Sequence, residues 1–195
     1  MLGEIISKIN PVDVIIALIF LRCLYIGLHR GFVVEFFKLL GMILATFITL
    51  HYYSHFAYLL GPLVFIPYET AELLSFCLLW LFIVVIFKVV REGWMIMINP
   101  EEKISVVQKI GGIVVAIPRA FLICGMAFLL VFSSRNFELS DSAHKSFCGF
   151  YLMDISPQIY NTIYEGLIKK VFPNEAKNSS VFKLKSLYLR SKKKK

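Results

Sequence analysis

Four apolar runs, each long enough to cross a membrane as a helix, constrain this sequence more than any other feature. They cover residues 12–28, 32–50, 73–90 and 110–132. A hydrocarbon core about 30 Å thick is crossed by about 20 residues of α-helix. Because 58% of the residues are hydrophobic and only 17% are charged, a water-soluble domain is excluded. The sequence predicts an all-α membrane protein with four transmembrane helices.

The connections between these runs predict how the helices are arranged. Only His29, Arg30 and Gly31 separate the first two runs, so we expect a tight antiparallel hairpin there. The aromatic connection 51–72 contains no Lys or Arg, whereas the connection 91–109 contains three. Positive charge accumulates in cytoplasmic loops. We therefore expect the Arg30 hairpin and residues 91–109 in the cytoplasm, and residues 51–72 and both termini outside.

The region after the last run predicts a helix of another kind. Ser156-Pro157 opens a stretch in which apolar side chains recur at helical spacing, and Pro173 ends it. We expect residues 133–173 to form an amphipathic helical segment that lies on the membrane surface or caps the bundle. Residues 174–195 are polar and then basic, and we expect them to form a disordered tail.

The net charge of +8 belongs almost entirely to the C-terminal part of the chain. Residues 1–131 carry nine Lys or Arg against eight Asp or Glu, and residues 132–195 carry twelve against five. A lysine near an anionic membrane surface contributes about 1 kcal/mol to binding. We therefore expect the basic tail to attract anionic lipid. No nucleic-acid partner is predicted, because no recognition motif accompanies the lysines.

A few charged residues interrupt the apolar runs, where an unpaired charge is unfavourable. Asp13 lies in the first turn of its helix, where a negative charge complements the helix dipole. Glu35 and Lys38 are three residues apart and are expected to pair, and Arg30 is a further candidate partner of Glu35. Arg119 lies deep in the last run and is the best candidate for a buried, paired charge.

Two residue types that often bind metals do not indicate a metal site here. The four cysteines are isolated, which is typical of small packing residues. His51 and His55 could share a metal with Glu69 or Glu72, but no further ligand motif accompanies them, so residues at the membrane interface are the favoured interpretation. No nucleophile–base or phosphate-loop motif is present either. We predict no metal, no cofactor and no enzymatic activity.

A set of glycines and charged residues carries a resemblance to a known family: Asp13, Gly27, Arg30, Gly31, Glu35, Gly41, Gly111 and Arg119. Those of the first hairpin, with Pro11-Val12 before Asp13, resemble the amino-terminal signature of the CvpA family, the bacterial colicin V production proteins. Lys109-Ile110-Gly111-Gly112 followed by Arg119 looks like the second Arg/Gly motif of that family. Residues 142–146 with Ile155-Ser156-Pro157 are similar to its Ser-rich segment. The resemblance covers roughly residues 5–172.

The resemblance implies a non-enzymatic, multi-pass protein of the bacterial inner membrane. Such a protein assists the production or secretion of a toxin or bacteriocin and has a broader role in envelope homeostasis, with secretion or envelope proteins as partners. Arg30, Glu35 and Arg119 would then hold the helices together. A second class stays open: a small transporter or channel subunit acting as a homo-oligomer, with Arg119 and Glu35 facing its pathway.

Overall fold

The computed structural model describes residues 10–64, 67–98, 105–133, 143, 146–182 and 186, and no strand occurs among them. The longer helices are α1 (Pro11–Val64), α2 (Tyr68–Ile98), α3 (Val106–Ser133) and α4 (Gly149–Ile163). The chain continues from α4 through a π-helical turn, Tyr164–Ile168, into a last α-helical turn, Lys169–Val171. The predicted all-α class is confirmed.

Three helical segments are long and apolar enough to cross a membrane: Pro11–Pro62, Thr70–Trp94 and Val106–Ser133. Large apolar side chains cover their outer surfaces, such as Leu18, Leu81 and Val89, each more than 60% exposed. An apolar surface of this extent is unfavourable in water and is accommodated by lipid. A helix also satisfies its own backbone hydrogen bonds inside a bilayer. The chain is a transmembrane protein.

Helix α1 is interrupted at Gly31, whose φ of 72° and ψ of 169° are not helical. Glycine adopts a positive φ without a steric penalty. Residues 11–30 form a first arm and residues 32–64 a second arm. The guanidinium group of Arg119 contacts Cys23 in the first arm and Glu35 in the second. On an uninterrupted helix those two residues would be about 18 Å apart. The chain therefore doubles back at Gly31.

The second arm extends well beyond its predicted end. The expectation that residues 51–72 form a loop is wrong, because only residues 65–67 separate α1 from α2. No glycine or proline occurs between the predicted end at residue 50 and Gly61. The added turns also pack inward: the ring of Tyr53 meets the ring of Phe76 in α2 edge-on, with 5.7 Å between centroids. The aromatic residues therefore lie on a continuing helix.

Helix α4 crosses the end of the bundle that lies farthest from Gly31. The residues before it contact Asp13 near the start of the first arm. Its middle packs on Gly125 of α3, where an added Cβ would lie 2.7 Å from Ser156 Oγ. Its last turns reach the second arm, where the ring of Tyr160 stacks on that of Phe47 at 5.5 Å. One short helix therefore ties both arms to α3.

The start of α4 differs from the sequence prediction. We expected Ser156-Pro157 to open the helix, because proline fits a first helical turn. The helix begins at Gly149, and Pro157 lies inside it. The N–H groups just before α4 bond to Asp13, which belongs to a different helix. A tertiary contact thus fixes the residues that lead into the helix.

Residues 174–182 were predicted to begin a disordered tail, and this prediction is wrong. The Asn178 side chain donates hydrogen bonds to the carbonyl oxygens of Leu50 at 2.8 Å and His51 at 3.3 Å. Val181 is only 1% exposed. The segment is therefore packed against the second arm. The closing lysines, residues 192–195, lie outside the described residues, as do residues 99–104 and 134–142.

Candidate functional site: a buried ion-pair cluster at the helix crossing

The first arm and α3 cross with their backbones in direct contact. A Cβ atom added to Gly27 would lie 2.6 Å from the Cβ of Ala116, and one added to Gly112 would lie 2.4 Å from the carbonyl oxygen of Gly27. Atoms cannot approach this closely, so both positions require glycine. A Cβ atom added to Gly111 would lie 3.1 Å from Cδ2 of Phe32 in the second arm, a tight contact with a side chain. Small residues allow such close crossings between membrane helices.

Arg119 lies two helical turns beyond Gly112, on the same face of α3. Its Nη2 donates a hydrogen bond to the carbonyl oxygen of Cys23 at 3.2 Å, and its Nη1 lies 2.8 Å from Glu35 Oε2. Glu35 is fully buried and Arg119 is 6% exposed. In a helix the carbonyl of Cys23 points toward Gly27. Because Gly27 has no side chain, Arg119 can reach this carbonyl oxygen. One side chain thus joins α3 to both arms.

Lys38 completes the cluster. Its ammonium group pairs with Oε1 of Glu35, so each carboxylate oxygen faces a separate cation. In this position the ion-pair partners replace the water that would otherwise surround the carboxylate. Such a pair is strongly destabilised by removing one partner, because the other charge remains buried. The arrangement is suited to fixing the helices in one relative position.

The structure brings most of the predicted motif residues to this crossing but separates two. Gly27, Gly31, Glu35, Gly111 and Arg119 lie together there. Gly41 lies further up the second arm, where an added Cβ would meet Phe87 of α2 at 3.0 Å. Asp13 is at the opposite end of the first arm. Arg30 is exposed, and Glu35 pairs with Arg119 and Lys38 rather than with it.

Asp13 has a larger role than its place in the first helical turn indicates. Its carboxylate accepts hydrogen bonds from Ser146 Oγ at 2.5 Å, from Phe147 N–H at 3.1 Å and from Cys148 N–H at 3.3 Å. Ser146 Oγ in turn accepts from Gly149 N–H at 3.0 Å. Burial, together with the Asp13 carboxylate, raises the pKa of the Cys148 thiol. Asp13 therefore links the first arm to the start of α4.

Replacing Asp13 with alanine is expected to release the start of α4, because three donors lose their acceptor. The two part-buried donors, Ser146 Oγ and the Cys148 N–H, would each cost about 1–3 kcal/mol if left unsatisfied. Hydrogen exchange at the backbone amides of residues 147–152 should therefore become faster. Glu165→Ala, which removes an exposed carboxylate, is the control and should leave this exchange unchanged. Equal exchange in the two variants would refute the linking role of Asp13.

A second network, at the far end of the second arm, was not anticipated. The Asn178 N–H donates to the Tyr160 hydroxyl at 2.9 Å, which leaves the Tyr160 O–H to donate to Nδ1 of His51 at 3.1 Å. Nε2 of His51 then donates to Glu175 at 3.1 Å. Both nitrogens of His51 are therefore engaged in protein contacts. Burial raises the pKa of the Tyr160 hydroxyl in this network.

No sequence signal connected these residues, because the partners of His51 lie more than 100 positions away along the chain. The one pattern available, two histidines four apart, raised a metal site instead. His55 is exposed, whereas His51 is buried. Among the residues that the structure describes, no group of three His, Cys, Asp or Glu side chains could hold a metal ion.

Comparison with protein families shows which family the chain belongs to. The family described as Colicin V production protein matches residues 12–153, which is most of the chain. The chain belongs to this family. The matched region runs from the first turn of α1 into α4, so it includes the glycine crossing, the Arg119 cluster and the Asp13 contact. No curated protein and no solved structure shows significant similarity to the chain.

Proposed function

We propose that this Colicin V production family protein crosses the bacterial inner membrane four times. The reversal at Gly31 supports this count, because it divides α1 into two arms. The first arm is about 30 Å long at 1.5 Å per residue, which matches the hydrocarbon core. Basic residues gather at the Gly31 end: Arg30, Lys38, Lys88, Arg91 and Lys109. By the positive-inside rule this end is cytoplasmic, and the first arm and α4 begin on the outer side.

We infer that the protein is a non-enzymatic factor that assists production or secretion of a colicin V type toxin and supports the envelope. The family match over residues 12–153 carries this inference. The packing supports a scaffold rather than a transporter, because Glu35 is fully buried and Arg119 bonds to the backbone of a neighbouring helix. Charges held in this way position the helices relative to one another.

A complementation assay tests this function. In a host that makes colicin V and lacks its own member of the family, expressing this chain should raise the toxin activity released into the medium at unchanged toxin transcription. Gly93→Ala, a change at a position where an added Cβ has no neighbour within 4 Å, should complement equally well. Equal toxin release with and without the chain would contradict the proposal.

Reconstitution separates this function from the transporter class. Liposomes containing only this protein should show the same ion and solute leakage as empty liposomes. Flux that depends on the protein would favour a transporter or channel acting as an oligomer.

Crosslinking in native membranes should capture secretion or envelope proteins as partners. For the basic tail we propose contact with anionic lipid, on the ground of its charge alone.

A further inference from the structure

A cleft lined by cations opens at the Gly31 end of the bundle. A cavity of about 440 Å³ is lined by Arg30, Lys38 and Arg91, among others, and no carboxylate of the described residues lines it. A second cavity of about 210 Å³ is lined by Lys38, Lys88, Arg91 and Arg119, again without a carboxylate from the part of the chain that the structure describes. Because Lys38 and Arg91 line both, the cavities adjoin. We call them together the basic cleft.

The described residues balance the positive charge of the basic cleft only in part. Glu35 pairs with Lys38 and Arg119, and the exposed Glu92 lies 3.5 Å from Arg91. Arg30 and Lys88 make no ion pair or hydrogen bond with the parts of the chain that the structure describes. Counted over the described residues, five cations thus face two carboxylates. Unbalanced charge next to a hydrocarbon core is unfavourable, and an anion in the cleft would relieve it.

A buried donor in the same place is also without a partner. Nε of Arg119 is shielded from solvent and makes no hydrogen bond within the described residues, and the Arg119 side chain lines the smaller cavity. Buried donors in native proteins are almost always satisfied. Glu35 Oε2, 2.8 Å from Arg119 Nη1, is likewise buried without a hydrogen bond, so it is the charge balance of the cleft that favours an anion there.

We propose that the basic cleft binds a phosphate group, carried by an anionic lipid headgroup or by a free phosphate ion. Guanidinium groups bind phosphate oxygens through paired, charge-assisted hydrogen bonds, and Arg30, Arg91 and Arg119 come from three different helical segments. Basic pockets between membrane helices on the cytoplasmic side bind such headgroups. Arg91 lies close to the end of the apolar segment Thr70–Trp94, which places the cleft at headgroup depth.

The test uses the full chain in neutral detergent and two probes. Native mass spectrometry counts bound phosphatidylglycerol, with phosphatidylcholine as the uncharged reference, and calorimetry follows titration with inorganic phosphate. The variant combines Arg30→Gln with Arg91→Gln, two side chains that are at least partly exposed and outside the buried cluster. The control combines Lys169→Gln with Lys170→Gln, which removes the same charge from the exposed last turn.

The outcomes separate the two sources and can overturn the proposal. Binding of phosphatidylglycerol that falls by about tenfold or more in the cleft variant, but stays within about twofold in the control, supports a lipid headgroup site. Binding of inorganic phosphate with the same dependence supports a site for the free ion. If neither probe binds wild-type protein, or if both variants lose affinity equally, the cleft is not a phosphate site. None of these outcomes depends on toxin release, so the proposed function is tested separately.

Discussion

Replacing Arg119 with leucine is expected to destabilise the folded protein by about 3–5 kcal/mol, the usual effect of breaking a buried ion pair from one side. Glu35 would remain fully buried with Lys38 as its ion-pair partner, and the carbonyl oxygen of Cys23 would lose a donor. Thermal unfolding in detergent and the protein level in membranes measure the effect. Arg22→Leu, an exposed arginine of the first arm, is the matched control and should change little.

A double variant separates the ion pair from a general effect of the leucine. Combining Glu35→Gln with Arg119→Leu removes the buried negative charge together with its partner. The combined loss of stability should therefore be clearly smaller than the sum of the two single losses, since residues in direct contact are coupled. Strictly additive losses, or an Arg119→Leu protein as stable as the wild type, would refute the role of this pair.

Replacing Gly112 with alanine is expected to weaken the bundle by about 1–3 kcal/mol or more, the range seen when atoms are forced into a packed interior. The new Cβ would lie 2.4 Å from the backbone oxygen of Gly27, which cannot move without shifting the first arm. Helix propensity alone predicts the opposite sign, because alanine favours a helix over glycine by about 1 kcal/mol. Thermal unfolding of the purified protein decides between the two.

Gly93→Ala is the matched control for this prediction. Gly93 also lies inside a helix, and an added Cβ there has no neighbour within 4 Å. This variant should be as stable as the wild type or slightly more stable. If Gly112→Ala and Gly93→Ala have the same midpoint of unfolding, the close crossing of the first arm and α3 is wrong.

The sequence predicted the helices well wherever apolar length alone determines them. The runs at residues 73–90 and 110–132 lie inside α2 and α3, because a long apolar run can satisfy its backbone in a bilayer only as a helix, even with Pro118 inside it. Gly31 was recognised as a turn because charges and a glycine interrupt the apolar runs there. The end of the second arm was missed, since aromatic residues are typical of the membrane interface both in helices and in loops.

The candidate site was predictable as a set of unusual residues, but its pairing was not. Arg119 stands out because an arginine deep in an apolar run needs a partner. The sequence did not identify Glu35 as the partner of Arg119, because local spacing indicated only Lys38 and Arg30 as partners of Glu35. The contacts of Asp13 with residues 146–148 span more than 130 positions, and no periodicity encodes them. Tertiary packing decides such contacts.

The reversal of the chain at Gly31 is the central claim, because the ion-pair cluster, the basic cleft and the four crossings all depend on it. Spin labels on cysteines at Leu18 and Leu44, both exposed, test it by electron–electron distance measurement in lipid nanodiscs. The four native cysteines would first be replaced by alanine, with folding checked by circular dichroism.

Both labelled positions are thirteen residues from Gly31, one on each arm. If the arms lie side by side, the main distance should be below about 25 Å, since packed helix axes are 8–10 Å apart and the label linkers add the rest. An uninterrupted α1 would instead separate the two positions by about 39 Å at 1.5 Å per residue. A main distance near that value would contradict the hairpin and the site built on it.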